Sequence, residues 1–291
     1  MIKIAARAKL NLFLEVTGRR PDGYHDLATM FARIGLADVL TLRAAAPGIT
    51  LAVEGGPALG KPGDNIVYKA AEKFFAAFKI APAVEIKLKK NIPVGAGLGG
   101  GSSDGAAALL GLAKLYSLPR SAFSRLMKIA AAIGSDVPFF MLDEMMAEGR
   151  GRGEKLKPLK PAGRLPYIVL VYPGVPVYTK EVYGNLKLGP APEIKARLKE
   201  FSGLCSLIKK GGFVPGRAGR LFNRLEVPVL PRHKAVREAK ARLAALGADA
   251  ALMSGSGACV FGLCRGRAKA AAIAAALGRI KGYRVFLTKF C

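Results

Sequence analysis

The sequence predicts an α+β protein of two domains, residues 1–155 and 156–291. Three observations predict it. Residues 2–53 read as successive strands, with polar turns between them. A glycine-rich run at 93–105 then interrupts an alternating strand and feeds a helix. Residues 250–287 read strand, turn, strand, helix, strand, which with an earlier helix resembles a ferredoxin-like layer. The length of 291 residues holds one large domain or two ordinary ones, and an apolar content of 51% supplies the core.

Taken in order, residues 2–8 and 12–17 are strand candidates, with Lys9 and Asn11 between them. Gly18 to His25 is a polar turn closed by an aromatic and a histidine. Strands follow at 35–43 and 49–53, then a turn at 60–65 and a helix to Phe78, with Ile66, Ala70, Phe74 and Phe78 at helical spacing. Val84, Ile86 and Leu88 alternate with Glu85, Lys87 and Lys89, which marks a half-buried strand. A helix over 122–133 ends at Gly134. Residues 148–164 read as a hairpin and crossover, and Ile168 to Tyr172 as a buried strand. Helices are expected at 180–183, 191–200, 232–246 and 268–277, and strands at 250–253, 258–262 and 283–287.

Composition bounds the partners. The formal net charge is +26, and it is uneven: residues 1–145 hold 18 basic and 12 acidic residues, residues 146–291 hold 28 and 8. Such a field favours anionic partners such as nucleotides, nucleic acid or acidic membrane, or else is a solvated surface. No run of apolar residues is long enough for a membrane span, and Met1 to Ala5 lacks the apolar core of a signal peptide. Cys205, Cys259, Cys264 and Cys291 show no paired metal spacing and read as reduced thiols of a cytoplasmic protein.

Two stretches carry chemistry. Residues 95–101 contain five glycines, and the helix that follows begins with Ser102 or Ser103 as its cap. A flexible loop opening on a helix N-terminus offers backbone amides and a positive dipole end to phosphate. No Gly-Lys-Ser/Thr follows, so it is not a Walker loop, and no suitably placed acid makes it a dinucleotide fingerprint. The second stretch is Gly134-Ser135-Asp136-Val137-Pro138-Phe139, where Asp136 is either a helix cap or a working carboxylate.

These stretches, with Ala8-Lys9-Leu10-Asn11-Leu12, Arg20-Pro21-Asp22-Gly23-Tyr24-His25, Gly63-Asp64-Asn65, Asn223-Arg224-Leu225-Glu226 and Ser254-Gly255-Ser256-Gly257, resemble the GHMP small-molecule kinase superfamily over nearly the whole chain. The resemblance implies an N-terminal domain of the ribosomal-protein S5 domain 2-like type and a ferredoxin-like C-terminal domain. Within the superfamily the Tyr24-His25 turn and the Asp136 motif are most similar to those of kinases acting on a cytidine diphosphate-linked methylerythritol. That implies transfer of the γ-phosphate of ATP to a 2-hydroxyl in non-mevalonate isoprenoid synthesis, with Mg²⁺ accompanying ATP and no assigned metal ligands.

By the same resemblance Lys9 and Asp136 are catalytic. Asn65, Pro93, Gly95, Gly97, Leu98, Gly99, Gly100, Gly101, Ser102 and Ser103 hold ATP. Asn11, Tyr24, His25, Thr179 and Tyr183 line the substrate site, the two tyrosines by stacking on cytosine. The turn at 255–257 either approaches the substrate diphosphate or is structural. The other readings are a homoserine or mevalonate-type kinase of the same superfamily, against which the Tyr24-His25 pair argues, and a basic RNA-associated protein.

Overall fold

The computed structural model describes residues 1–56, 62–211 and 221–291. In chain order the strands are β1 (Ile2–Arg19), β2 (His25–Ala44), β3 (Gly48–Glu54), β4 (Ala83–Lys89), β5 (Met146–Arg150), β6 (Lys155–Leu159), β7 (Tyr167–Tyr172), β8 (Phe222–Asn223), β9 (Ala250–Met253), β10 (Val260–Cys264) and β11 (Arg284–Lys289). The helices are α1 (Ile66–Phe78), α2 (Gly100–Leu115), α3 (Phe123–Ile133), α4 (Val137–Met141), α5 (Thr179–Gly184), α6 (Ala191–Lys209), α7 (Glu226–Arg232), α8 (Lys234–Ala245) and α9 (Arg267–Gly278).

These elements form two units, each built from several segments. The first contains residues 1–8, 36–94 and 99–143; the second contains residues 9–35, 95–98 and 144–291. β1 and β2 each contribute to both, and the chain crosses from one to the other inside the glycine-rich run.

In the first unit β3 runs parallel to β4, with Leu51 opposite Ile86, and β4 runs antiparallel to the second half of β2, with Leu42 opposite Ile86. Val84, Ile86 and Leu88 are buried while Lys87 and Lys89 are exposed, so the alternation read from the sequence is the pleat of β4. α1 begins where the Asn65 side chain accepts from Val67 N at 2.9 Å and ends at Lys79 in the left-handed conformation. Its Phe74 and Phe75 pack on Tyr116 just beyond α2, with ring centroids 6.1 and 5.4 Å away. The turn at 60–65 lies partly outside the described residues.

In the second unit the first half of β2 pairs antiparallel with β5, Phe31 opposite Ala147, and β5 forms a hairpin with β6. β1 neighbours β2 and pairs in parallel with the short β8, Phe13 opposite Phe222. A four-stranded antiparallel sheet in the order β11-β7-β10-β9 completes it. Counting its strands along the chain gives the spatial order 4-1-3-2, with α9 joining the third to the fourth, so the ferredoxin-like layer is present. Val169, Val171, Val236, Leu243, Val260, Ala270 and Ile273 form its core.

Three expectations change. The two strands expected at 2–8 and 12–17 are one strand of 18 residues, because Lys9 and Asn11 bond to each other and need no turn. β2 starts at His25 rather than 35, since Ala28, Met30 and Ala32 supply a buried face. The single helix expected at 232–246 is preceded by a separate α7, and the two are divided at His233, whose φ of −116° and ψ of 85° are not helical.

Candidate active site

The glycine-rich run is divided between the two units. Residues 95–98 are held in the second by backbone bonds: Val177 N and Ala258 N donate to Gly95 O, Cys259 N to Ala96 O and Lys9 N to Leu98 O. Gly97 has φ of +71°, and a Cβ there would lie 2.1 Å from Ser254 O. Only glycine fits that approach.

From Gly99 the chain belongs to the first unit and opens α2. Gly99 itself is the cap, with φ of +67° and no side chain to offer. The expectation that Ser102 or Ser103 caps this helix is therefore corrected: both lie in its first turn, and the left-handed glycine starts the helix earlier. Ser103 N donates to Gly99 O at 2.9 Å. The amides of Gly100, Gly101 and Ser102, being the first three, have no acceptor within the helix. Pro93 precedes the crossing and is buried.

Ile66 gathers the other elements of the first unit around this turn. A Cβ on Gly101 would meet Ile66 at 3.7 Å, and one on Gly134 would meet Ile66 at 3.7 Å and Ser102 Oγ at 3.8 Å. Asn65, the first turn of α2 and the Gly134-Ser135-Asp136 corner thus converge on one side chain. Asp136 occupies the position before α4 but makes no capping hydrogen bond to it. Asn65 caps α1 and is buried.

In the second unit Lys9 is buried on β1. Its ammonium donates to Asn11 Oδ1 at 2.6 Å and to Gly97 O at 3.2 Å. His25 and Tyr183 place their rings 5.0 Å apart at 30°. Burial, and then the charge of Arg19, lowers the His25 pKa below its usual value, so the ring is neutral near pH 7. Tyr24 is exposed and carries the Arg152 guanidinium 4.7 Å from its ring centroid. Thr179 Oγ1 and Ser256 Oγ share a hydrogen bond at 2.8 Å, while Asn223 Nδ2 donates to Met253 O and Gly255 O and so shapes the second glycine turn. The structure brings Lys9 and Asn11 together, and His25 and Tyr183 together.

Two groupings had no reading in the sequence. Thr29 stands behind Asn11, accepting from its Nδ2 at 2.7 Å. Under the start of α2, Lys90 forms ion pairs with Asp38 and Asp104. Asp38 also accepts from Ile92 N at 2.8 Å, whereas Asp104 Oδ1 is buried with no hydrogen-bond partner. Burial pushes the Asp104 carboxyl up to about 8; Lys90 opposes that rise and Asp38 adds to it. Thr29 and Asp38 are ordinary strand residues in the sequence, and only Lys90, following two outward lysines but itself buried, breaks a pattern.

Known proteins resemble this chain. Residues 65–144 match the family model of the GHMP kinases N terminal domain, and residues 215–284 that of the GHMP kinases C terminal. The chain is 44% identical over 265 residues to a 4-diphosphocytidyl-2-C-methyl-D-erythritol kinase of Pelotomaculum thermopropionicum, covering 90% of this chain and 89% of that one. It is 38% identical over 289 residues to the protein of that name from Syntrophus aciditrophicus, covering 99% of each. A crystal structure of 4-(cytidine 5'-diphospho)-2C-methyl-D-erythritol kinase superposes with a TM-score of 0.77 at 37% identity, over 99% of both chains. A homoserine kinase from Cytophaga hutchinsonii gives 0.79 at 19% identity, over 99% of this chain and 94% of that one, a likeness of fold alone. Backbone similarity therefore does not separate these kinases, and sequence identity does. This chain belongs to the GHMP kinases and, among them, to the 4-diphosphocytidyl-2-C-methyl-D-erythritol kinase family.

Proposed function

We propose that this ATP-dependent phosphotransferase acts on the 2-hydroxyl of 4-diphosphocytidyl-2-C-methyl-D-erythritol, a step of isoprenoid precursor synthesis in the cytoplasm. The observation that carries the substrate choice is the His25–Tyr183 ring pair at 5.0 Å, with neutral His25 able to donate and accept at once. A pyrimidine base uses both properties; homoserine and mevalonate have no aromatic ring to place there.

The residues present fit a nucleotide triphosphate. The left-handed Gly99 brings no side chain of its own to cap the first amides of α2, and Gly97 keeps its approach clear of a Cβ. Gly95, Gly97 and Leu98 with Gly99 to Ser103 would follow the phosphates, and Asn65 would meet the adenine. Amides fixed before the reaction need no reorganisation as negative charge spreads in phosphoryl transfer.

Asp136 would take the proton of the acceptor hydroxyl. Lys9, which donates to Asn11 Oδ1 and Gly97 O, would hold the hydroxyl in line. Asn11, Tyr24 and Thr179 would complete the substrate side. Mg²⁺ would travel with ATP, supplying charge neutralisation. Its donors would be Ser103 with the phosphates, or mostly the phosphates and water. The functional division is proposed at 155/156, which leaves the two family matches on opposite sides.

Turnover of ATP with the cytidine substrate, measured beside homoserine and mevalonate, tests the reading. Asp136→Asn is expected to lower kcat by at least about 100-fold with folding unchanged. Turnover of homoserine or mevalonate in preference to the cytidine compound would overturn the substrate assignment.

A further inference from the structure

We propose that Thr29 is a positioning residue for the reaction, locking the Asn11 side chain in the one orientation that aims Lys9. This rests on Lys9 being catalytic.

The geometry is a polar chain inside the second unit. Lys9 Nζ donates to Asn11 Oδ1 at 2.6 Å, Asn11 Nδ2 donates to Thr29 Oγ1 at 2.7 Å, and Thr29 Oγ1 donates to Phe13 O at 2.7 Å. Its direction is forced from both ends. An ammonium can only donate, and a backbone carbonyl can only accept. The Thr29 hydroxyl gives its single proton to Phe13 O, so only lone pairs face Asn11, and these accept only from the amide nitrogen. Oδ1 must then face Lys9. Flipping the amide would set its N–H₂ against the ammonium and its oxygen against the Thr29 lone pairs.

Water does not relieve such a flip, because the relative exposures are 4% for Lys9, 2% for Asn11 and 0% for Thr29. In a poorly solvated site each bond of an aligned chain strengthens the next. The turn at Gly255 passes close to this group: a Cβ there would lie 2.9 Å from Gly97 O and 3.2 Å from both Asn11 Oδ1 and Lys9 Nζ. Asn11 and Gly97 O both hold the ammonium, and Thr29 holds Asn11.

The test compares Thr29→Val, which keeps the shape and loses the hydroxyl, with Thr29→Ser, which keeps the hydroxyl. Thr29→Val is expected to lower kcat about tenfold, one buried hydrogen bond's worth, with KM for ATP and for the cytidine substrate within about twofold. Thr29→Ser should restore kcat, and in an Asn11→Ala background Thr29→Val should have no further effect. A merely structural Thr29 would lower the melting temperature and leave kcat of the folded fraction intact, which overturns the proposal. If Thr29→Val does not fold, side-chain amide exchange in the unaltered protein decides: slow exchange at Asn11 Nδ2 supports the chain, and exchange at the rate of a solvated amide overturns it. Lys9→Met with full turnover would remove the catalytic reading and this inference together. Inactive Lys9→Met beside fully active Thr29→Val would remove this inference alone.

Discussion

Lys90 Nζ donates to Asp104 Oδ2 at 2.7 Å, and this one bond ties the end of β4 to the first turns of α2, whose leading amides face the proposed phosphate site. The same ammonium is bound by Asp38, so two carboxylates share one cation in a buried place. A second negative charge there is costly, and Asp104 keeps its proton to about pH 8.

Stability should therefore depend on pH in a set direction. The folded state raises the Asp104 pKa from 3.8 to about 8, so between those values it binds a proton that the unfolded chain has released. Stability from this group is full below pH 3.8 and is lost as pH rises through about 8. Thermal melts of Asp104→Asn are expected to be flatter than those of the unaltered protein across that window. An equally steep curve in the variant would place the titration elsewhere. Lys90→Met, which strands two buried carboxyls, should cost about 3–5 kcal/mol in denaturant unfolding.

Gly97 is expected to reject even a methyl group. Its φ of +71° and the 2.1 Å approach of Ser254 O leave a Cβ nowhere to go. Gly97→Ala should destabilise the protein by about 1–3 kcal/mol and weaken ATP binding at least about tenfold, read by calorimetry. Gly18→Ala, where nothing lies within 4 Å, is the matched control and should behave as the unaltered protein.

Tyr183→Ala should raise KM for the cytidine substrate about 5- to 150-fold, the worth of one stacked base, and leave KM for ATP alone. Equal loss for both substrates would point to a collapsed fold instead.

The His25 pKa lies below 6.5, since burial and Arg19 favour the neutral ring. Its contribution to folding is present above 6.5 and is lost as pH falls through the lowered value. KM for the cytidine substrate should rise over the same acid range, because the protonated ring loses its acceptor, and should stay level between pH 7 and 8. His25→Asn should remove the acid rise.

Arg224 grips Glu15 through two bonds of 2.8 Å and Glu193 through a third of 2.8 Å, joining β1, α6 and the turn before α7. Arg224→Met should cost about 3–5 kcal/mol because Glu15 is left buried and unpaired. The double change Glu15→Leu with Arg224→Leu should recover most of that loss. Additive losses would show that the pair is not coupled.

The linear chain by itself determined what local chemistry can determine. The alternation around Val84, Ile86 and Leu88 and the glycines at 95–101 each act over a few residues, so each is readable in a short window. The resemblance to the family rested on short stretches of this kind. Only the tertiary structure decided that β1 runs unbroken through Lys9 and Asn11, that Gly99 rather than a serine starts α2, that Thr29 meets Asn11, and that Asp38 and Asp104 share Lys90. The reason is burial. A polar side chain taken out of water must find its partner wherever the fold brings one, and Lys90 finds Asp38 and Asp104 at separations of 52 and 14 residues, which no local pattern encodes.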